Sequence, residues 1–258
     1  MKRRIYAIML SAAMALSLAA CGKTETDSDV KESVVSEFVE NTVEENVTSE
    51  SASESETTSS EDSEPAEVYD FCGTIDGSTY VNKFFGIKIV APEGYYFADE
   101  ELLREFGEVA SDFYKESDTE LGQVVVDALS EGAIIVDLFL YDETFFNSIN
   151  INYMYLGPFG QLMTSEMYVD GCIPQIQNEY DAMGLSDWTV EKTTASWGGK
   201  EVPAMKVEGS EEYEDTVINL YILQIPIIKN GYGATVSIRT YLEDNTAELL
   251  GIVESIAE

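Results

Sequence analysis

FFGIKIVAPEGYY, residues Phe84 to Tyr96, is the stretch from which the fold can be read. Phe85, Ile87 and Ile89 recur every second residue, the period of a strand with one buried face. Pro92-Glu93-Gly94 stops the strand in a turn. Tyr95, Tyr96 and Phe97 leave that turn as a packed aromatic exit. Just upstream, Tyr80-Val81 is a second short apolar run, separated from the first by Asn82-Lys83.

Downstream, the pattern changes period. Asp99 is placed to cap a helix, and Glu100 and Glu101 fall in its first turn, where the helix dipole favours acids. Leu102, Leu103, Phe106, Val109, Ala110 and Phe113 recur at three- and four-residue steps, which predicts an amphipathic helix over 100–115. Residues 123–130 read equally as strand (VVV) or helix end (DALSEG). Two β-rich runs follow, 133–141 and 148–156, the second alternating Ile149, Ile151, Tyr153 and Tyr155; with 142–147 between them they predict a hairpin. Gly157-Pro158 breaks the chain. A helical stretch over 164–183 contains Gly171 and Pro174, which predict a kink or two pieces, with Gly184 as its C-terminal cap. The last third reads as two hairpins. One turns at Gly198-Gly199, between 188–197 and 200–208. The other turns at Asn230-Gly231, between 216–228 and 233–241. A closing helix is expected from Thr246, with Leu249, Leu250, Val253 and Ile256 inward. Hairpins imply a mostly antiparallel sheet, and the helices must cover its faces. The expected class is therefore α+β, an α/β/α sandwich.

Upstream of the domain the chain is of a different kind. Lys2, Arg3 and Arg4 precede an apolar run from Ile5 to Ala20, broken by Ser11 and Ser17. That run is shorter than the roughly 20 residues a spanning helix needs and has the form of a secretory leader. Leu18-Ala19-Ala20-Cys21 resembles the lipobox of bacterial lipoproteins. The resemblance implies cleavage before Cys21 and a diacylglyceryl group on its thiol, and two acyl chains suffice to hold a protein at a bilayer. Residues 22–68 hold 15 acidic residues against Lys23 and Lys31, with many Ser and Thr. Such a segment cannot bury enough apolar surface to offset its ordering entropy. The expected organisation is a leader at 1–20, a disordered acidic tether at 21–68 and a globular domain at 69–258, on the extracytoplasmic face of the membrane.

Composition narrows the chemistry. The 258-residue chain carries a net charge of -35 and no histidine. Charge of that sign repels nucleic acid. The lack of imidazole removes Ser-His-Asp and Cys-His catalysis and the usual catalytic zinc sites. Cys72 and Cys172 are the cysteines left after Cys21, and they read either as one disulfide of an exported domain or as two buried thiols. Glu211, Glu212, Glu214 and Asp215 form an acidic cluster without EF-hand spacing, better read as a solvated loop than as a calcium site. Asp99, Glu100 and Glu101 are better explained by capping than by the paired acids of glycoside hydrolysis. The aromatic residues, among them Tyr95, Tyr96, Tyr153, Tyr155, Trp188 and Trp197, read mainly as core and sheet-face pairs. No catalytic residue, metal ligand or cofactor is expected.

Tyr80-x-Asn82-x-x-Phe85-Gly86-Ile87-x-Ile89-x-x-Pro92-x-Gly94-Tyr95 resembles the opening hairpin of PsbP-like domains and of Gram-positive lipoproteins that share it. Tyr95 stands where that pattern often has tryptophan. The resemblance implies a central antiparallel sheet between helices and a binding or assembly role. The leading expectation is thus a lipid-anchored, non-catalytic module recognising an envelope protein or polymer. The alternative is a carboxylate-dependent hydrolase of envelope glycans. A small-ligand carrier, the third reading, would need an enclosed apolar pocket.

Overall fold

The computed structural model describes residues 71–117, 119–185, 187–213 and 216–256. The leader, Cys21 and the acidic tether lie outside the described residues. The domain is α+β, and every strand pairing is antiparallel.

A small sheet comes first. It comprises β1 (Thr74–Asp76), β2 (Thr79–Asn82) and β3 (Ile87–Val90), and its fourth strand is β11 (Val253–Ser255) from the far end of the chain, in the order β1-β2-β3-β11. Tyr80, Ile87 and Ile89 are fully buried beneath it, as the two-residue period requires. The Tyr95 N–H donates to Pro92 O at 3.1 Å and closes the turn into β4 (Tyr95–Phe97). β4 is the first edge of a seven-stranded sheet ordered β4-β5-β6-β10-β9-β8-β7. The other strands are β5 (Ile134–Asp142), β6 (Asn147–Tyr155), β7 (Thr189–Trp197), β8 (Lys200–Tyr213), β9 (Thr216–Lys229) and β10 (Tyr232–Tyr241). The two glycine-bearing hairpin turns form where the sequence puts them. Gly198 and Gly199 both take positive φ, as do Asn230 and Gly231, the backbone a two-residue turn needs to match strand twist.

Each face of the large sheet is covered differently. On one face, Leu138, Leu140, Ile149, Ile151, Leu223, Ile225, Val236 and Ile238 pack with the small sheet and with α4 (Thr246–Leu250). The other face carries the long helices. α1 (Glu100–Ser117) packs through Leu102, Leu103 and Phe106 onto Phe139, and Asp99 accepts the Leu102 N–H at 2.9 Å as its cap. α2 (Glu120–Ser130) follows directly, capped by Thr119, whose hydroxyl accepts the Gly122 N–H. α3 (Ser165–Ala182) lies over β7, β8 and β9, and its Tyr168, Val169, Cys172 and Ile176 join Trp188, Val207 and Ile222 in one cluster. Tyr114 of α1 and Val125 and Val126 of α2 belong to that same cluster, so the helix groups meet over the sheet.

Two local expectations are corrected, and two readings the sequence leaves open are decided. The ambiguous stretch 123–130 is helix, because Thr119 supplies a cap and Val125 and Val126 are buried in the helix-side cluster. The stretch around Gly171 and Pro174 is one continuous 18-residue helix. Burial of Val169, Cys172 and Ile176 on either side of the proline holds it together. The closing helix is only five residues long, and Val253 to Ser255 pair with Ile89 to Ile87 as a strand. Cys72 and Cys172 are not bridged. Cys72 carries an exposed free thiol 3.0 Å from Tyr153 Oη, a residue of the small-sheet face, whereas Cys172 is buried among the helices on the opposite face.

Candidate functional site

The two central strands of the large sheet are β6 and β10. Their odd and even positions divide sharply. Ile149, Ile151 and Tyr153 of β6, with Ala234, Val236 and Ile238 of β10, point to the small-sheet face and are apolar or aromatic. The alternating positions point to the helix face and are Ser148, Asn150 and Asn152 on β6, with Thr235, Ser237 and Arg239 on β10. Register places Arg239 opposite Ser148, Ser237 opposite Asn150 and Thr235 opposite Asn152. Gln224 of β9 sits opposite Ser237 and donates to its hydroxyl at 3.2 Å. A polar floor two to three strands wide therefore occupies the middle of the sheet.

This floor is not a solvated surface. Asn150 is 4% exposed, Arg239 3% and Thr235 0%. Proteins pair nearly all such buried polar groups, because leaving one unpaired costs about 1–3 kcal/mol. Here Asn150 Nδ2, Thr235 Oγ1 and Arg239 Nε have no hydrogen-bond partner among the described residues. Arg239 also takes part in none of the ion pairs among the described residues. Its guanidinium stacks at 5.5 Å over the Tyr241 ring, a cation–π contact and its one charge-compensating neighbour among the described residues. A buried, permanently charged group without a carboxylate is expensive to fold around.

Asp137 makes an instructive contrast. It sits at the β5 bulge between Val136 and Leu138. It accepts the Tyr80 hydroxyl at 2.6 Å, the Asn82 amide at 3.0 Å and the Gly73 N–H at 2.9 Å. Burial, reinforced by the neighbouring Asp137 carboxylate, pushes the Tyr80 phenol well above its ordinary range. Every donor there has an acceptor, so the arrangement fastens the small sheet to β5 and leaves nothing over for a ligand.

The residues singled out from sequence are dispersed. Asp99, Glu100 and Glu101 are exposed at the start of α1, with Asp99 used as the cap. Glu211 and Glu212 continue strand β8, while Glu214 and Asp215 lie outside the described residues. Among the described residues no group of three or more Cys, Asp or Glu could hold a metal ion. Trp188 is fully buried and donates its indole N–H to Ser210 O, and Trp197 donates to Val253 O. Tyr96 and Tyr155 are the exposed aromatics of that set. A surface groove of about 660 Å³ runs past Ala91, Pro92 and Tyr95, but it is wide open and holds no buried polar group. Among the described residues no helix is long and apolar enough to cross a membrane.

No family model matches the chain, and no curated protein does. Solved structures similar to it include a Bacteroides thetaiotaomicron protein, 10% identical over 71% of this chain, with a TM-score of 0.34; the chain spans 50% of that protein. Cyanobacterial PsbP (CyanoP) from Synechocystis is 14% identical over 70% of this chain and 89% of its own, with a TM-score of 0.33. LpqN, involved in cell envelope biogenesis of Mycobacterium tuberculosis, is 12% identical over 64% of this chain and 76% of its own, with a TM-score of 0.33. Likenesses this distant carry no functional weight; the site is read from its own residues.

Proposed function

We propose that the chain is a lipid-anchored extracytoplasmic binding module, without catalytic activity, that holds a small polar ligand on the floor of β6 and β10. The carrying observation is a set of polar atoms on Asn150, Thr235 and Arg239, each residue more than nine-tenths buried, that have no hydrogen-bond partner among the described residues. This reading moves the third expectation, a carrier, ahead of an envelope-polymer binder, with a polar rather than an apolar pocket. Anchoring through Cys21 completes the proposal, since it places the module at the membrane face.

Native mass spectrometry of the full chain, extracted in mild detergent from its own membrane, tests both parts. The expected spectrum shows a chain beginning at Cys21 and carrying a diacylglyceryl group. It also shows a non-covalent adduct of small-molecule mass that Arg239→Met abolishes. A spectrum without any adduct would remove the ligand-binding reading. An unmodified Cys21 would remove the anchor.

A further inference from the structure

We infer that the groove beside β4 takes an extended segment of a partner protein, one in which apolar and basic residues alternate, as an added strand. The groove is separate from the floor, since β4 is an edge of the large sheet and β6 and β10 lie at its centre.

β4 pairs on one side only, with β5. The Ala98 N–H donates to Phe139 O at 2.8 Å. In an antiparallel pair alternate residues turn their N–H and C=O to the neighbour, so those of Phe97 point away from β5 to the open side. An open edge is a template for another strand, and folds usually blunt it with charge. The opposite edge, β7, is blunted in this way: Glu191 and Lys192 stand along it, and Lys192 is tied to Glu166 and Asp170 of α3. β4 reads Tyr-Tyr-Phe and carries no charge. The groove of about 660 Å³ runs beside it, with Ile75, Ala91 and Pro92 among its walls. Ile75 and Tyr96, both lining it, are each 47% exposed.

The pleat sets the pattern of the occupant. Tyr95 and Phe97 pack with the small-sheet cluster, whereas Tyr96 turns to the other face and donates its hydroxyl to Glu143 at 3.1 Å. A strand added beside β4 inherits those two faces. On the first its side chains meet Ile75 and Pro92, which suits apolar residues. On the second they meet the Tyr96 ring and the Glu143 carboxylate, which suits a cation.

Charge decides among occupants. Glu93 lines the groove, and no lysine or arginine does so among the described residues. Neither Glu93 nor Asp76, the neighbour of Ile75, takes part in an ion pair among the described residues. The Tyr95 phenol is raised by burial and then by the carboxylates of Asp142 and Glu248, so their field reaches this edge. A second copy of a chain with net charge -35 would be repelled, and so would its own acidic stretch at 22–68. A segment bearing lysine or arginine is attracted.

The test is fluorescence anisotropy with the full chain in mild detergent. The probe is a labelled peptide, Gly-Val-Lys-Val-Lys-Val-Lys-Gly. One control peptide has glutamate for every lysine. Another is methylated on every valine nitrogen, which removes the N–H groups that would face Phe97. The natural peptide is expected to bind saturably, with both controls silent. Glu93→Lys and Ile75→Ser should each weaken it by about fivefold or more, whereas Glu191→Lys, on the far edge, should change it by less than about twofold. A natural peptide that does not bind saturably would overturn the inference. Equal weakening by Glu191→Lys and Glu93→Lys would also overturn it, because the attraction would then belong to the whole chain. Equal binding of the methylated peptide would do the same, because no strand would be added.

Discussion

Replacing Arg239 by methionine should make the protein more stable. The guanidinium is 3% exposed and takes part in no ion pair among the described residues. Burying an ion in that state costs several kcal/mol even after relaxation. The Tyr241 ring at 5.5 Å returns about 2 kcal/mol of that. Methionine keeps an unbranched apolar stem of similar reach and removes the charge. The net expectation is a gain of about 1–3 kcal/mol. In a domain of this size each kcal/mol moves the melting temperature by about 2–4 °C, so Tm should rise by about 2–12 °C. Urea unfolding of the ligand-stripped full chain checks the figure through the midpoint at unchanged m-value. Arg239→Lys is the companion variant. Its ammonium is more strongly hydrated and cannot spread its charge over the ring, so it should be destabilised. A loss of more than about 1 kcal/mol in Arg239→Met would refute the reasoning, because it would mean that the guanidinium already has its partner within the fold. A stabilising change that abolishes binding is the trade expected of a site kept for function at the expense of the fold.

Three further outcomes follow from the packing and the charges. Asp137→Ala should cost about 3–5 kcal/mol, read by urea denaturation, because it strands the buried Tyr80 hydroxyl and loosens the small sheet; a cost under 1 kcal/mol would contradict the fastening role. Gly209→Ala should cost at least about 1–3 kcal/mol, since a Cβ there would lie 2.5 Å from the ring of fully buried Trp188; a neutral Tm shift would show that the ring moves freely. Stability should fall at alkaline pH. Burial, with Asp137 adding to it, raises the phenol of Tyr80, and burial raises that of Tyr180, above the ordinary 10.0. Their contribution is therefore fully present below pH 10 and is lost as pH rises towards the folded-state values, by up to about 1.4 kcal/mol per pH unit for each. Urea midpoints that are equal at pH 8 and pH 11 would count against it.

The sheet is legible in the sequence because its signals are local. Alternation at Ile87 and Ile89, or at Ile149, Ile151 and Tyr153, needs only the pleat to be interpreted, and Asn230-Gly231 needs only its turn geometry. What escapes is set by partners distant in sequence. Residues 123–130 become helix because their apolar face is buried in the helix-side cluster, and Val253 to Ser255 become strand because the edge of β3 is open to them. Cys72 and Cys172 are both plausible members of a bridge until the topology separates them by the thickness of a sheet. The floor is the most instructive case. Ser148, Asn150 and Asn152, or Thr235, Ser237 and Arg239, look like the wet side of two amphipathic strands. Only the strand order, which makes β6 and β10 central, and the burial seen in the fold separate that side from a wet one. The signal available beforehand was two such alternations, SININ and TVSIR, in a fold expected to have helices on both faces of its sheet.

The central claim is that this floor is built to hold a ligand, and a high-resolution crystal structure of the full chain purified from its own membrane tests it most directly. The account predicts non-protein density against the β6–β10 floor. Oxygen atoms of that molecule should lie within hydrogen-bonding distance of Arg239 Nε and Asn150 Nδ2. Density for ordered water alone at those atoms, or an Arg239 guanidinium turned onto a carboxylate of the chain itself, would contradict it.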